Sequence, residues 1–204
     1  MGINARLSII RPGYVPRGGG VVEVTVEPLT GKIKPISLLS QGDVVGIEGV
    51  ALASHLKERR VSERMVEKCN QVLKLNGYRA QIEVVYDTLA LQRGAALMLY
   101  AKTSLGGIIG ADRAGEPRRT SEDIARYVAK SLVEDLATGA TVDRYSADQL
   151  IFYAALADGV SQYRIPGLTE HVETNLWLAE TMLGARTEVN HNLVKIQGIG
   201  YYKK

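Results

Sequence analysis

Ser62-Glu63-Arg64-Met65-Val66-Glu67-Lys68-Cys69-Asn70-Gln71-Val72-Leu73-Lys74-Leu75-Asn76-Gly77 is the stretch on which the fold class turns. Met65, Val66, Cys69, Val72 and Leu73 fall at i, i+1, i+4, i+7 and i+8, which lines one face of an α-helix. Ser62 can cap its start, and Asn76-Gly77 ends it. The spacing predicts a helix over 62–76. Upstream, residues 44–53 read as a strand. Downstream, Ile82, Val84 and Tyr86 alternate, and residues 95–103 give another strand. Strand, helix, strand, strand makes a compact α+β unit. Cys69 lies on the apolar stripe and reads as a small buried hydrophobe.

Alternation also marks both ends of the chain. Residues 5–10 open with Leu7 and Ile9 in strand phase, and Val22, Val24 and Val26 repeat the pattern. Half-buried strands look like this. Between them runs Arg11-Pro12-Gly13-Tyr14-Val15-Pro16-Arg17-Gly18-Gly19-Gly20, which cannot continue a sheet ladder. The three consecutive glycines fit a phosphate approached by backbone, or a hairpin loop with a bulge. They match no P-loop spacing, and both readings stay open. Residues 28–35 form a turn-rich linker. Past residue 104, Thr120-x-x-Asp123 resembles a capping box, with aspartate in glutamate's place. The helix it starts runs to about Thr138, with Ile124, Val128, Leu132 and Leu136 on one stripe and Gly139 as its stop. Residues 148–157 read as a largely buried helix and 161–165 as a short strand. Residues 172–183 read as a helix with Val172, Leu176, Ala179 and Leu183 inward, and 187–202 as two strands around Asn190-His191-Asn192.

Composition narrows the function classes. The chain has 204 residues, enough for one large domain or two small ones. An apolar content of 46% is ordinary for a globular protein, and no run of eighteen apolar residues exists to span a membrane. A single cysteine excludes an intrachain disulfide and fits a reducing cytoplasm. The net charge of +3 does not by itself announce nucleic acid. Basic clusters occur at Lys57-Glu58-Arg59-Arg60, at Arg113 with Arg118-Arg119, and at Lys203-Lys204. Solvated surface is the ordinary reading of each. Arg118-Arg119 is the best candidate for an exception, because its Gly-Glu-Pro-Arg-Arg-Thr loop precedes a helix start.

His171 is the residue most suited to chemistry. Pro166 and Gly167 break the chain before it, and an apolar-periodic helix follows. The imidazole therefore stands at a loop-to-helix junction, where free backbone N–H groups can face an anion. An imidazole has an ordinary pKa of about 6.5, so near neutrality it is an available nucleophile or acid/base. A core or solvated histidine is the bland alternative. His191 falls at a turn, and His55 precedes a basic run. Three scattered histidines and one cysteine show no zinc spacing. Tyr145-Ser146-Ala147-Asp148-Gln149 opens the helix over 148–157. Asp148 is placed to cap it, Gln149 can offer a donor and an acceptor, and Tyr145 can stack on a base.

The order of these motifs identifies a family. Tyr145-x-Ala147-Asp148-Gln149-Leu150 followed by His171-x-x-Thr174-Asn175, with Gly13-Tyr14-Val15-Pro16-Arg17-Gly18-Gly19-Gly20-Val21-Val22-Glu23-Val24 ahead of them, resembles the RNA 3′-terminal phosphate cyclases over essentially the whole chain. The resemblance implies a main domain of βαβαββ repeats, of the kind shared with enolpyruvyl transferases, carrying a small inserted α+β domain. Residues 1–30 are then the end of one repeat, 31–104 the inserted domain, and 105–204 the last repeat with the catalytic histidine. It implies that His171 attacks the α-phosphate of ATP to form a histidine–AMP intermediate. AMP then passes to an RNA 3′-phosphate, which closes to a 2′,3′-cyclic phosphate. Tyr145, Ser146, Ala147, Asp148 and Gln149 are carried over as the ATP site, with a divalent metal, Mg2+, as cofactor and ligands unknown. RNA 3′-phosphate ends are the implied partner, with no membrane.

The family's long N-terminal portion supplies a metal carboxylate, phosphate-binding arginines and a glutamine. The present sequence corresponds to roughly the last three fifths of a cyclase. An N-terminal cyclase fragment or self-association is expected to complete it, with little turnover by the chain alone. The alternatives are a non-catalytic cyclase-like ribosome-assembly factor and an enolpyruvyl transferase. A scaffold has no need of His171 together with Asp148-Gln149, and no motif supports enolpyruvyl chemistry.

Overall fold

In the computed structural model, which describes residues 1–202, the chain begins with an antiparallel hairpin of β1 (Ala5–Arg11) and β2 (Val21–Val26). The register sets Leu7 opposite Val24 and Ile9 opposite Val22, so these apolar side chains share one face. That face is not half-buried as the alternation predicts: Leu7 is 64% exposed and Val24 58%. Ile9 and Val22 line a cavity together with Leu52, Ala96 and Ala114, and an exposed apolar face of this kind marks a contact surface. The Lys203-Lys204 pair lies outside the described residues.

β3 (Ser37–Leu38) is followed by β4 (Val44–Ser54), a single turn of 3-10 helix (Lys57–Arg59), α1 (Val61–Leu75), β5 (Ala80–Asp87), β6 (Gly94–Thr103), β7 (Ile108–Ala114) and α2 (Ser121–Ala137). These form a four-stranded sheet ordered β5-β4-β6-β7, with β4 and β5 parallel and the other pairs antiparallel. Alternate residues of β4 and β6 point inward: Ile47, Ala51 and Ala53 from one, Leu97, Leu99 and Ala101 from the other. Met65, Cys69 and Leu73 of α1 and Ile124, Val128 and Leu132 of α2 meet them there. Each large apolar side chain removed from water contributes about 1.5–3 kcal/mol, which is why the two stripes read from sequence become one layer against one sheet. On the outer face Glu48 accepts from the Tyr100 hydroxyl at 2.5 Å and from Lys102 at 2.7 Å.

The expected boundary at residue 104 falls in the β6–β7 turn, and this core continues across it to Leu136. The helix start also differs in detail. Arg60 holds the cap position of α1 with a left-handed backbone, while Ser62 is buried inside the first turn and donates to the Val85 carbonyl. The capping box of α2 forms as predicted, with the Thr120 side chain accepting from the Asp123 N–H at 3.1 Å.

The remaining elements are α3 (Ser146–Leu156), β8 (Val160–Arg164), α4 (Glu170–Leu178, continued by a wider π turn, Ala179–Leu183), β9 (Arg186–Asn190) and β10 (Leu193–Gln197). They build a second sheet ordered β3-β8-β10-β9, with its own core of Ile151, Tyr163, Ile165, Val172, Leu176, Val194 and Ile196. β3 is parallel to β8, and β10 is antiparallel to both β8 and β9. Hence β3, β8 and β9 all run the same way. Once residues 44–137 are passed over, the order is β3, α3, β8, α4, β9, β10. The chain leaves β3 at Leu38 and returns beside it, where the Thr141 hydroxyl donates to the Leu38 carbonyl at 3.1 Å.

Candidate functional site

Parallel strands require crossovers, and here the crossovers are α3 and α4. Both helices lead from the end of one parallel strand to the start of the next, so they run in the same direction. Their N-termini therefore open at the same edge of the sheet, beyond the carboxyl ends of β3 and β8. In open α/β sheets this edge is where ligands bind. It brings the segment 145–149 and His171, more than twenty residues apart in sequence, to one end of the fold.

His171 is the second residue of α4 and is exposed. Thr169 caps the helix, accepting from the Val172 N–H at 3.3 Å, while Val172 and Leu176 anchor the inward face. One turn on, the Asn175 amide donates to the Asp148 carbonyl at 3.4 Å and ties α4 to the first turn of α3. Tyr145 and Gln149 are exposed, Ser146 and Asp148 half-buried, and Ala147 buried. Ala147 offers no side chain to a ligand; its carbonyl accepts from the buried Tyr163 hydroxyl at 3.1 Å.

Asp148 is not the cap of α3. That role falls to Asp143, whose carboxylate accepts from the N–H groups of Tyr145 and Ser146 at 3.0 and 2.8 Å and from the Ser146 hydroxyl at 2.9 Å. The same carboxylate takes the Gly110 N–H of β7 at 3.2 Å. Arg144 locks the other side. Its guanidinium meets Asp135 of α2 at 2.7 and 3.0 Å, and the backbone N–H of Arg144 donates to the same carboxylate at 3.1 Å. Asp135 is 2% exposed. Its hydrogen bonds, opposed by burial and joined by Glu134, push the Arg144 pKa upward. The Tyr145 hydroxyl hydrogen-bonds to Tyr127 of α2, which raises the pKa of Tyr145 and lowers that of Tyr127. Arg113 stacks on the Tyr127 ring at 3.8 Å. Residues 143–146 are thus held from two elements of the first sheet unit. Sequence reasoning missed Asp143 and Asp135, though each left a signal. Asp143 stands three residues before Ser146, the spacing of a cap, and Asp135 interrupts an apolar stripe.

The glycine-rich loop 12–20 joins β1 to β2 and closes on itself. The Gly18 N–H donates to the Tyr14 carbonyl at 2.7 Å and Arg11 to the Gly19 carbonyl at 2.6 Å. Its Tyr14 ring lies flat over Gly94, where any Cβ would collide with it. The geometry is that of a hairpin loop docked on the first sheet unit, and the ladder shifts register at Ile10 as a bulge does. Arg17 donates to the Leu91 carbonyl at 3.3 Å. His55 and His191 both adopt left-handed backbone, and a His55 ring nitrogen lies 2.7 Å from the Ala90 carbonyl.

Among the described residues no three His, Cys, Asp or Glu side chains gather to hold a metal ion. Cys69 is fully buried and its thiol is pushed up to about 12 by burial, so below that pH it stays a neutral, unreactive thiol. At pH 8 a disulfide reagent should leave folded protein untouched and titrate the single thiol only in urea. Rapid modification of the folded chain would contradict this burial.

A mixed α/β protein with two cores and two helix starts at the edge of parallel strands is the class that fold and site define. Comparison with known proteins narrows it. A family model described as RNA 3′-terminal phosphate cyclase matches residues 1–189. The chain belongs to that family. It is 35% identical over 197 residues to an RNA 3′-terminal phosphate cyclase of Caldivirga maquilingensis, covering 94% of this chain and 55% of the relative. It is 34% identical over 189 residues to one of Methanothermobacter thermautotrophicus, covering 93% and 54%. A third, of Pyrobaculum neutrophilum, is 29% identical over 204 residues, covering 98% and 58%. The chain thus spans a little over half the length of these curated relatives. Among the described residues no helix is long and apolar enough to cross a membrane.

Proposed function

We propose that this chain carries the nucleophile of an ATP-dependent RNA 3′-phosphate cyclase. What supports the reading is the common opening of α3 and α4, with Asn175 bridging to the Asp148 carbonyl. An imidazole nitrogen of His171 attacks the α-phosphorus of ATP. A nitrogen–phosphorus bond forms, the bond to the β-phosphate oxygen breaks, and pyrophosphate leaves. An oxygen of the RNA 3′-phosphate then attacks the same phosphorus, and His171 departs. Finally the neighbouring 2′-hydroxyl attacks the RNA phosphorus, loses its proton and expels AMP. The start of α4 offers the N–H groups of Glu170 and His171 to the phosphates, those of α3 being taken by Asp143 and Asp135, and the chain's task is positioning and charge stabilisation. Tyr145 stacks on the adenine, and Asp148 and Gln149 hold the ribose or base. Any metal carboxylate comes from the family's N-terminal portion.

In this reading residues 44–140 are the inserted unit, since the chain returns at Thr141 to the place it left at Leu38. Elements β3 to β10 that remain are one βαβαββ repeat. The apolar face of the β1–β2 hairpin is where the N-terminal cyclase portion, or a second copy, would pack. The setting is the reducing cytoplasm.

The test is conversion of an RNA 3′-phosphate to a phosphatase-resistant end in the presence of ATP and Mg2+. The chain is assayed alone and together with the N-terminal portion of a relative. Resistance that appears only with both polypeptides and only with ATP is expected. Resistance without ATP, or none with both present, would contradict the reading. Asp148→Ala and Gln149→Ala should each slow nucleotide transfer roughly tenfold, about the worth of one well-made hydrogen bond. Unchanged transfer rates in both would remove residues 145–149 from the ATP site.

A further inference from the structure

The Gly115–Thr120 loop, singled out in the sequence for its arginines, faces a cavity to which neither α3 nor α4 contributes a lining residue. The cavity has a volume of about 440 Å³, within the range of small-ligand pockets. Four guanidinium groups line it from four separate segments: Arg59 from the 3-10 turn, Arg64 from α1, Arg93 from the loop before β6, and Arg119 from the loop before α2. Tyr14 of the docked hairpin loop forms one wall. A single carboxylate, Glu116, lines the cavity with them.

The pairing inside the cavity leaves positive charge over. Arg64 is satisfied by Glu122 at 2.8 and 2.9 Å, and Arg119 meets Glu116 at 2.9 Å. Arg59 and Arg93 pair with no carboxylate among the described residues. The second terminal nitrogen of Arg119, Nη1, is buried with no hydrogen-bond partner. Buried donors are nearly always satisfied, so an orphan in a positively lined cavity points to a missing acceptor. Like charges brought together from four segments repel unless an anion enters between them. The planar guanidinium fork matches the oxygens of a phosphate in particular.

We propose that this cavity binds a backbone phosphate of single-stranded RNA, upstream of the 3′ end, a ligand that rests on the RNA reading above. Arg59 and Arg93 contact the phosphate from the rim, and Arg119 Nη1 donates to it from within. The strand is thereby held on the first sheet unit while its 3′ end reaches the α3–α4 edge.

Binding of a short fluorescein-labelled single-stranded RNA to the full chain, followed by anisotropy across a salt series without ATP, decides this. Arg59→Ala with Arg93→Ala should weaken binding at least about tenfold and make the log–log salt slope shallower by about 0.7, the contribution of one neutralised phosphate on a single strand. Both side chains are exposed, so the fold should survive, and an unchanged thermal melt checks it. Lysine at both positions should restore most of the salt slope. A charge-matched control, Arg6→Ala with Arg186→Ala, should change affinity less than about twofold. Equal losses in the two double variants would reduce the effect to diffuse charge and overturn the proposal. No RNA binding by the wild-type chain would overturn it as well. Inorganic phosphate forms the last arm. Phosphate binding that vanishes in Arg59→Ala with Arg93→Ala, while RNA binding stays, would assign the cavity to a free anion and overturn the RNA proposal. Because ATP is absent, this outcome is read separately from whether His171 takes a nucleotide.

Discussion

Arg144→Ala is expected to lower the stability of the chain by roughly 3–4 kcal/mol, read as a shift of the urea midpoint at constant slope. Asp135 is 2% exposed on the inward side of α2, and the Arg144 side chain, its one charged partner, donates to it at 2.7, 3.0 and 3.2 Å. Removing the arginine leaves a buried carboxylate with only the Arg144 backbone N–H, at 3.1 Å, and an uncompensated buried charge is costly. Asp135→Ala should cost less, because the Arg144 side chain is 33% exposed and can turn its charge to water. The order of the two effects is the informative result. Equal losses below about 1 kcal/mol would mean that the pair behaves as a surface ion pair. The pair also joins the first sheet unit to the start of α3, so both variants should loosen residues 143–146 and slow nucleotide transfer more than their global stability explains.

His171→Ala should abolish cyclisation by the assembled enzyme, by at least about 10³-fold, because a covalent route ends with its nucleophile. The fold should be unaffected. His171 is exposed at the second position of α4, and the cap and anchors of that helix are Thr169, Val172 and Leu176. Normal thermal stability with no turnover separates a chemical role from a structural one. Retained turnover in His171→Ala would assign the transfer to another group.

Much of this architecture was legible in the sequence, wherever the period of the apolar residues had one interpretation. The stripes on α1 and α2, the alternation in β5 and the apolar runs of β4 and β6 gave helices and strands within a few residues of those found. Periodicity shows that a strand has an apolar side but not what lies against it. For that reason the β1–β2 hairpin reads as half-buried although both strands are exposed here. The same blindness hides the link from β7 to β6 across residue 104, since long-range pairing carries no local signature. At the site, the loop-to-helix position of His171 was readable from Pro166, Gly167 and the apolar phase that follows. Its neighbourhood with residues 145–149 was not: that depends on β3, β8 and β9 being parallel, which only the hydrogen-bonded register reveals. The cap of α3 was misassigned to Asp148 because the helix begins at Ser146, four residues before its apolar run at Leu150.

The most direct measurement is covalent labelling with ATP radiolabelled at the α-phosphate, on this chain with and without the N-terminal portion of a relative, beside His171→Ala. An acid-labile AMP adduct that maps to the peptide containing His171 and is absent from the variant is the expected result. Label that persists in His171→Ala, or no label on wild-type protein with both portions present, would contradict a histidine nucleophile at the shared edge of α3 and α4.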